Sequence, residues 1–152
     1  MKLGNRGFWL AALALLAVAG FGLFSFCKSH RVWSINEWRV YQAMDWECHP
    51  AWRDFHYGRI QAGDSVEKVI TLTEPLQIER TGRWVVLKYH PEGMCFTGLT
   101  AVAYDSRMVG AYAWSCTWIR QFFDTMSSEQ RAEFFEKYYD QGARIGNPVI
   151  VR

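Results

Sequence analysis

Cysteine and histidine are the side chains in this sequence whose types fit nucleophilic or metal chemistry. The candidates are Cys48, His49, His56, His90, Cys95 and Cys116. Cys48 adjoins His49 and His90 precedes Cys95, and neither grouping has the ligand spacing of a zinc finger or of a Cys-x-x-Cys site. A Cys/His nucleophile also requires hydrogen-bond contact, which only a tertiary fold can supply. Because a phosphate loop and a dinucleotide fingerprint are missing too, we predict no catalytic, metal-binding or cofactor-binding residue, and no cofactor.

The charge distribution argues against a nucleic acid as a partner. The formal net charge is +2, and Lys2 and Arg6 account for it, so the residues after them carry equal numbers of basic and acidic side chains. A nucleic-acid-binding protein normally has a basic stripe that neutralises phosphates. An aromatic content of 16%, including eight tryptophans, is instead typical of a compact folded domain.

One uncharged apolar segment, residues 8–27, follows a short basic tail, residues 1–7. As a helix, these 20 residues would extend about 30 Å, the thickness of the hydrocarbon core of a bilayer. We therefore predict a single-pass transmembrane anchor, with the lipid bilayer as its partner. A single globular domain over residues 28–152 is expected to follow it.

Two processing events compete with a retained anchor. The apolar run contains Ala17-Val18-Ala19, which resembles a signal-peptidase site, although the sequence stays apolar from Gly20 to Cys27. Cleavage before a lipid-modified Cys27 is the other alternative, and the bulky Phe26 disfavours it. Basic residues flank the segment on both sides, so the expected orientation, with the domain outside the cytoplasm, rests on the export-like basic tail.

The globular domain is organised around residues 83–118, which have the pattern of three consecutive antiparallel strands. Two connections, His90–Gly93 and Tyr104–Arg107, separate runs rich in Val, Tyr, Trp and Thr. Leu76–Arg80 alternates weakly and is a candidate edge strand, while Val149–Val151 fits either an edge strand or an unpaired tail. We predict an antiparallel meander of three to four strands.

Capping boxes beginning at Ser34, Asp64 and Ser127 predict helices around this sheet. The helices would cover residues 35–48, 65–73 and 128–141, although residues 35–48 also alternate like a strand. Residues 51–57 fit one more short helical turn, with aromatic side chains that suit either a core or a lipid-facing surface. The predicted fold class is α+β: a transmembrane helix, two short helices, the meander and a C-terminal helix.

The last predicted strand separates large side chains from small ones. Simple alternation places Met108, Tyr112, Trp114, Cys116 and Trp118 on one face, and Val109, Ala111, Ala113 and Ser115 on the other. The small residues indicate close helix packing on their face. If the other face is exposed, Tyr112, Trp114 and Trp118 form a candidate interaction surface.

Two functional classes fit these features. The first is a membrane-anchored protein-interaction or scaffold module that contacts another membrane or envelope protein, which predicts an exposed apolar or aromatic patch. The alternative is a small-ligand-binding or enzymatic domain, which predicts a concave pocket with convergent polar groups such as His90 and Cys95. The degree of exposure of the aromatic side chains distinguishes the two.

Cys95 and Cys116 are a candidate disulfide. With Asp105-Ser106 as a two-residue turn, Cys95 stands opposite Cys116. Opposed Cβ atoms lie about 4.5 to 5.5 Å apart, slightly more than the roughly 3.5 to 4.5 Å of a disulfide. A three-residue turn would instead place Trp114 opposite Gly98 and separate the thiols, and two reduced, buried cysteines are the remaining alternative. An extracytoplasmic location favours the bond.

Residues 60–118 contain Ile60–Val69, a following proline, an aromatic-rich strand and the hairpin at Tyr104–Arg107. In this order of features, the segment resembles the module of the SmpA/OmlA (BamE-like) envelope proteins. This chain departs from the family in the glycine-free exit Thr73-Glu74-Pro75, in Ser106 of the turn and in an added C-terminal helix. The resemblance implies an envelope protein that works by protein contact, and it assigns no functional residue.

Overall fold

The structure is a computed structural model that describes residues 5–90, 97–115, 118–139 and 149–151. The chain divides into two compact units, Met1–Ser34 and Ile35–Arg152. Helix α1 (Asn5–His30) forms the first unit. Its segment Gly7–His30 has a mean hydropathy of 2.3, and its most apolar stretch is unburied. Helix α1 is thus long and apolar enough to cross a membrane, a property that signal sequences share.

Three helices precede the sheet in the second unit: α2 (Ile35–Glu47), α3 (Trp52–His56) and α4 (Val66–Thr73). The helix predicted over residues 35–48 and the short turn predicted over residues 51–57 are confirmed, which makes three helices here rather than two. The strand alternative for residues 35–48 is wrong, since this segment forms helix α2. A helix places residues four apart on the same face. Val40 and Met44 are buried together in this way.

The N-cap of α4 is Ser65, one residue later than the predicted Asp64. The Ser65 hydroxyl accepts a hydrogen bond from the Lys68 amide at 3.3 Å. Asp64 instead accepts from the Gln61 amide at 2.8 Å and pairs with the Lys68 ammonium group at 2.8 Å. The carboxylate of Asp64 therefore closes the preceding turn, in which Gly63 adopts a φ of 85° as its predicted role requires.

The capping box at the C-terminal helix α5 (Ser128–Tyr139) is confirmed. The Ser127 hydroxyl accepts from the Gln130 amide at 3.1 Å, and the Ser127 amide donates to the Gln130 side chain at 2.8 Å. This reciprocal pair satisfies two backbone N–H groups at the start of the helix. The predicted end of the helix near residue 141 lies outside the described residues.

Within the described residues, the sheet has six strands that are adjacent in sequence order. They are β1 (Gln77–Thr81), β2 (Trp84–Lys88), β3 (Thr97–Tyr104), β4 (Arg107–Ser115), β5 (Trp118–Asp124) and β6 (Val149–Val151). Strands β1 to β5 pair antiparallel, as the predicted meander requires, and β6 pairs parallel with β5. The candidate edge strand near residues 76–80 is confirmed, and residues 149–151 form an edge strand rather than an unpaired tail.

Strand β5 is the element that the sequence prediction missed. The last predicted strand ran on to Trp118, whereas the chain reverses direction between Ser115 and Trp118. No glycine, proline or asparagine marks this reversal in the sequence. The turn therefore lacked its usual signal.

The turn between β3 and β4 agrees with the prediction. Tyr104 pairs with Arg107, and Asp105 and Ser106 between them have φ values of 50° and 61°. Positive φ at both central residues is the geometry of a two-residue type I′ hairpin. The register predicted for β3 and β4 is therefore correct at this turn.

A β-bulge in β4 then shifts the register by one residue. Ala103 pairs with Met108, but Val102 pairs with Gly110, so Val109 is an extra residue. An extra residue reverses the alternation of side chains along the rest of the strand. The uniform register assumed from the turn therefore holds only for the first two pairs.

The bulge makes the predicted division of β4 side chains wrong. Met108 lies in the same core as Ala111 and Ala113, whereas Tyr112 packs on the opposite face of the sheet. The expectation that the small residues face helices is confirmed for Ala111 and Ala113, which are fully buried in the core shared with α2, α3 and α4. It is wrong for Val109, which packs against the opposite face of the sheet. Trp118, which begins its own strand, also faces this core.

Two cores therefore flank the sheet. The first joins one face to α2, α3 and α4, with side chains that include Met44, Trp52, Val69, Leu87 and Leu99. The second lies under α5 and contains Trp84, Val86, Val102, Tyr112, Met126 and Phe134. Phe134 packs against Trp84, whose indole N–H donates to the Glu133 carboxylate at 2.8 Å. The sheet is covered on both faces over much of its area.

Candidate interaction surfaces

The three aromatic residues proposed from the sequence as an interaction surface are mostly covered. Tyr112 belongs to the second core and is 4% exposed, and Trp118 belongs to the first core and is 7% exposed. Trp114 is half-buried. A surface formed by these three residues stays a prediction, and their burial does not favour it.

The Trp114 indole lies across Gly98 on the neighbouring strand. A Cβ atom at Gly98 would come within 2.4 Å of the indole Cζ2 and within 3.0 Å of His90 Nδ1. The His90 ring meets the indole edge to face at 5.0 Å, and the indole N–H donates to the Thr100 hydroxyl at 3.4 Å. An aromatic ring that covers a glycine on an adjacent strand compensates for the missing side chain. The contact is best explained as packing.

The hypothesis of a His/Cys pocket rests partly on residues that the structure does not describe. His90 is half-buried, and burial lowers its pKa, which favours the neutral imidazole. Cys95 and Cys116 lie outside the described residues, so their proximity and the candidate disulfide stay predictions. The nearest described pair is Thr97 opposite Ser115, in the shifted register beyond the bulge. Placing Cys95 opposite Cys116 would require the register to change once more.

The described part of the chain offers little for nucleophilic or metal chemistry. Cys48 is half-buried, and burial raises the pKa of its thiol to about 12, so very little of it is thiolate at neutral pH. Within residues 5–90, 97–115, 118–139 and 149–151, no three His, Cys, Asp or Glu side chains are grouped so as to hold a metal ion. Which aromatic side chains are exposed and which are buried says more about the function.

Trp46 projects from the outer face of α2 and is 87% exposed. It borders a shallow depression of about 370 Å³ that is wide open to solvent and is lined by Gln42, Ala43, Trp46 and Glu47, all from α2. We call these four residues the Trp46 surface. The sequence contained a usable signal for it: in a helix, Trp46 is rotated by about 200° from Met44 and must leave the core. The strand-like alternation of this segment hid that signal.

Helix α2, which carries Trp46, packs against α3 and the residue after it through Tyr41. The Tyr41 ring stacks on Trp38 at 5.5 Å and meets Trp52 edge to face at 5.1 Å, and its hydroxyl lies 3.0 Å from that of Tyr57. Burial, followed by the contact with Tyr57, raises the pKa of Tyr41 to about 12. The Tyr41 hydroxyl therefore stays protonated and available to this hydrogen bond.

Charged contacts fix both ends of α2. Asp45 pairs with Arg53 of α3, and Glu47 accepts a hydrogen bond from the Thr97 hydroxyl at 2.6 Å. At the start of the helix, Glu37 lies 3.8 Å from Arg120 of β5. Together with the burial of Val40 and Met44, these contacts define which face of α2 is turned outward, and Trp46 lies on that face.

Three more large apolar side chains are exposed on α4, on β1 and on the segment that joins them. Leu72 of α4 is 53% exposed, Leu76 is 59% exposed and Ile78 of β1 is 40% exposed. We call these three residues the β1 surface. Strand β1 pairs only with β2 among the described strands, so one of its sides is open.

Comparisons with known proteins identify no relative that would explain either surface. No protein-family model, no curated protein and no solved structure matches this chain.

Proposed function

We propose that this protein is a membrane-anchored interaction module whose domain binds another membrane or envelope protein through the Trp46 surface. The observation that carries the proposal is the 87% exposure of Trp46 on α2, a helix whose Val40 and Met44 are buried in the first core. Isolated exposed aliphatic side chains are ordinary on protein surfaces. A large aromatic side chain beside a depression is the arrangement that protein interfaces use for their strongest contacts.

The composition around Trp46 supports a protein partner. Gln42 and Glu47 border the depression, so an apolar centre is surrounded by polar groups. This is the usual anatomy of a protein interface, in which a polar rim excludes water from a central aromatic anchor. Trp46 would be the central aromatic contact of this interface.

The local charge favours a protein over a lipid surface. Trp46 is flanked by Glu47 and by Asp45, whose charge is balanced by Arg53. Anionic headgroups attract clusters of unpaired basic side chains, and this flank carries one carboxylate and one neutralised ion pair instead. The partner is expected to present an apolar pocket for the indole, with basic or hydrogen-bond-donating groups next to it.

The anchor in this proposal is helix α1, retained after synthesis, with the domain outside the cytoplasm. Retention is supported by the apolar run that continues past Ala17-Val18-Ala19 to Cys27. The N-terminal sequence of the protein purified from membranes tests it. A mature chain that starts at Gly20 or at Cys27 would rule out a retained anchor.

The resemblance to the SmpA/OmlA (BamE-like) module belongs to the same proposal. The short capped helix α4, which leads through Pro75 into an antiparallel meander, has the order of elements that the resemblance implies. A protein partner in the envelope is the function expected of such a module. The cross-linking experiment described next tests the function without assuming that this chain is related to that family.

A photo-crosslinking amino acid at Gln42, on the rim of the depression, tests the partner directly. In native membranes we expect one covalent adduct of defined mass, and we expect Trp46→Ala to remove most of it. Leu72→Ala is the matched control, because Leu72 is also an exposed apolar residue on a helix but lies on α4. An adduct with lipid alone, or one that Trp46→Ala leaves unchanged, would overturn the proposal.

A further inference from the structure

We propose that the turn after α1 binds anionic lipids, with the Trp33 ring held in the interface of the bilayer at the depth of Phe24. We call residues 28–34 the α1 turn. The inference rests on the retained anchor of the proposed function and does not involve the Trp46 surface. The geometry of the turn, the exposure of its aromatic rings and its charge each support it.

A Schellman motif ends α1 and reverses the direction of the chain. The Val32 amide donates to the Cys27 carbonyl at 3.0 Å. The Arg31 amide donates to the Lys28 carbonyl at 3.4 Å. Arg31 has a φ of 52°, the left-handed conformation that this motif requires. Val32, the next residue, is buried. The reversal is therefore fixed by two backbone hydrogen bonds and by a buried side chain.

The reversal brings the Trp33 ring back to the side of α1. Its centroid lies 5.9 Å from that of Phe24, and the two rings are tilted by 59°. Both rings also stay open to their surroundings, since Phe24 is 54% and Trp33 is 60% exposed. An indole has an apolar body and a polar N–H group, which suits it to the boundary between hydrocarbon and headgroups. The bilayer around α1 is the partner that extends directly onto this pair of rings.

The helical rise of α1 gives the depth of this pair. The residues between Arg6 and Lys28 are uncharged, and an upright helix rises about 33 Å from one to the other, close to the thickness of the hydrocarbon core. Lys28 then lies at the level of the headgroups. Phe24 lies about 6 Å nearer the centre of the bilayer, and the ring of Trp33 is expected at the same depth. The α1 turn is thereby fixed at the surface of the bilayer.

The charge of the α1 turn matches anionic headgroups. Lys28 and Arg31 are exposed, and the sequence contains no acidic residue before Glu37. A basic side chain near an anionic bilayer surface strengthens binding by about fivefold. Trp46, in contrast, is flanked by a carboxylate and by an ion pair. The two exposed tryptophans therefore suit different partners, a lipid at Trp33 and a protein at Trp46.

Fluorine NMR of the full-length chain in nanodiscs of phosphatidylglycerol and phosphatidylcholine measures the depth of the ring. The tryptophans are labelled with 5-fluorotryptophan, and substitution of each by phenylalanine identifies its signal. Trp9 of α1 is the membrane reference and Trp46 is the water reference. We expect a lipid with a nitroxide near its headgroup to broaden the Trp33 signal as it broadens that of Trp9. A water-soluble gadolinium chelate should broaden the Trp46 signal much more than that of Trp33.

Two results would overturn the depth. One is a Trp33 signal that the chelate broadens as strongly as that of Trp46, because the ring would then lie in water. The other is a Trp33 signal that neither reagent broadens, because a protein surface would then cover the ring. The N-terminus of the native protein is a separate measurement: a chain that begins at Gly20 refutes the retained anchor, whereas a water-exposed Trp33 in the full-length chain refutes the depth alone.

Electron paramagnetic resonance with spin-labelled lipids tests the contact with anionic headgroups. The double variant Lys28→Gln with Arg31→Gln should lower the preference for phosphatidylglycerol over phosphatidylcholine by about fivefold. Arg80→Gln is the matched control, because Arg80 is also exposed but lies on β1, and it should leave the preference unchanged. An equal preference in all three chains would refute the binding of anionic lipids.

Discussion

Replacing Gly98 with alanine places a methyl group where the Trp114 indole lies. The added Cβ would be 2.4 Å from Cζ2, 2.6 Å from Cε2 and 3.0 Å from His90 Nδ1. The indole is a rigid bicyclic ring, so it cannot move one atom aside and must rotate as a whole. We expect Gly98→Ala to displace the ring and destabilise the domain.

The size of the effect follows from the contacts that the ring would lose. Introducing a methylene into a packed site costs about 1 to 3 kcal/mol. The edge-to-face contact with His90 contributes about 0.5 to 1.5 kcal/mol of that, and the 3.4 Å hydrogen bond to Thr100 adds little. In the opposite direction, alanine is favoured over glycine within a strand by about 0.5 to 1 kcal/mol. From the midpoints of these two ranges, the net loss in unfolding free energy should be about 1 kcal/mol.

Urea unfolding of the full-length chain in detergent, followed by circular dichroism, measures this free energy. The decisive comparison is a double-mutant cycle with Trp114→Ala. Without the indole, Gly98→Ala no longer meets a ring and should become neutral or stabilising. If the substitution has the same effect in both backgrounds, or stabilises the protein that retains Trp114, the packing argument is wrong.

Three further predictions concern the helix caps and the titrating groups. Ser127→Ala should lower the unfolding free energy by about 0.5 to 2 kcal/mol, with Ser128→Ala as a near-neutral control; equal melting temperatures would contradict the capping role. Because its pKa is about 12 instead of 9.0, Cys48 should react with a maleimide at pH 8 about a thousandfold more slowly than in urea, as peptide mapping would show. The pKa of Asp64 is lowered, first by its hydrogen bond to Lys68, so its contribution to stability is present above the ordinary carboxyl pKa and disappears as the pH falls through the lowered value. The difference in stability between the native chain and Asp64→Asn should therefore be full at pH 7 and shrink below about pH 4, and a constant difference between pH 7 and pH 2 would refute this assignment.

Local sequence was sufficient for elements whose stabilising contacts are near in the chain. The Ser127–Gln130 box and the turn at Asp105-Ser106 were predicted correctly, since a cap and a two-residue hairpin each depend on about four residues. The exception within this group is α4, where Asp64 and Ser65 are both good N-caps. The choice between them depended on Gln61 and Lys68, which both donate to the Asp64 carboxylate, one to each oxygen.

Side-chain orientation along β4 could not be obtained from alternation. The extra residue at Val109 reverses the pattern, so Met108 and Tyr112 lie on opposite faces although four residues separate them. A bulge is fixed by what packs on either side of a strand, and its sequence signal is weak. The expectation of an aromatic surface at Tyr112 depended on that alternation.

The sequence by itself determined an apolar helix of membrane-spanning length, an α+β class and most element boundaries, because these depend on composition, periodicity and short-range capping. Only the tertiary structure decided which aromatic residues are exposed. Trp118 and Trp46 have the same side chain, yet one is 7% and the other 87% exposed. Exposure depends on which helices and strands the rest of the chain places over a residue, and those contacts join segments far apart in sequence.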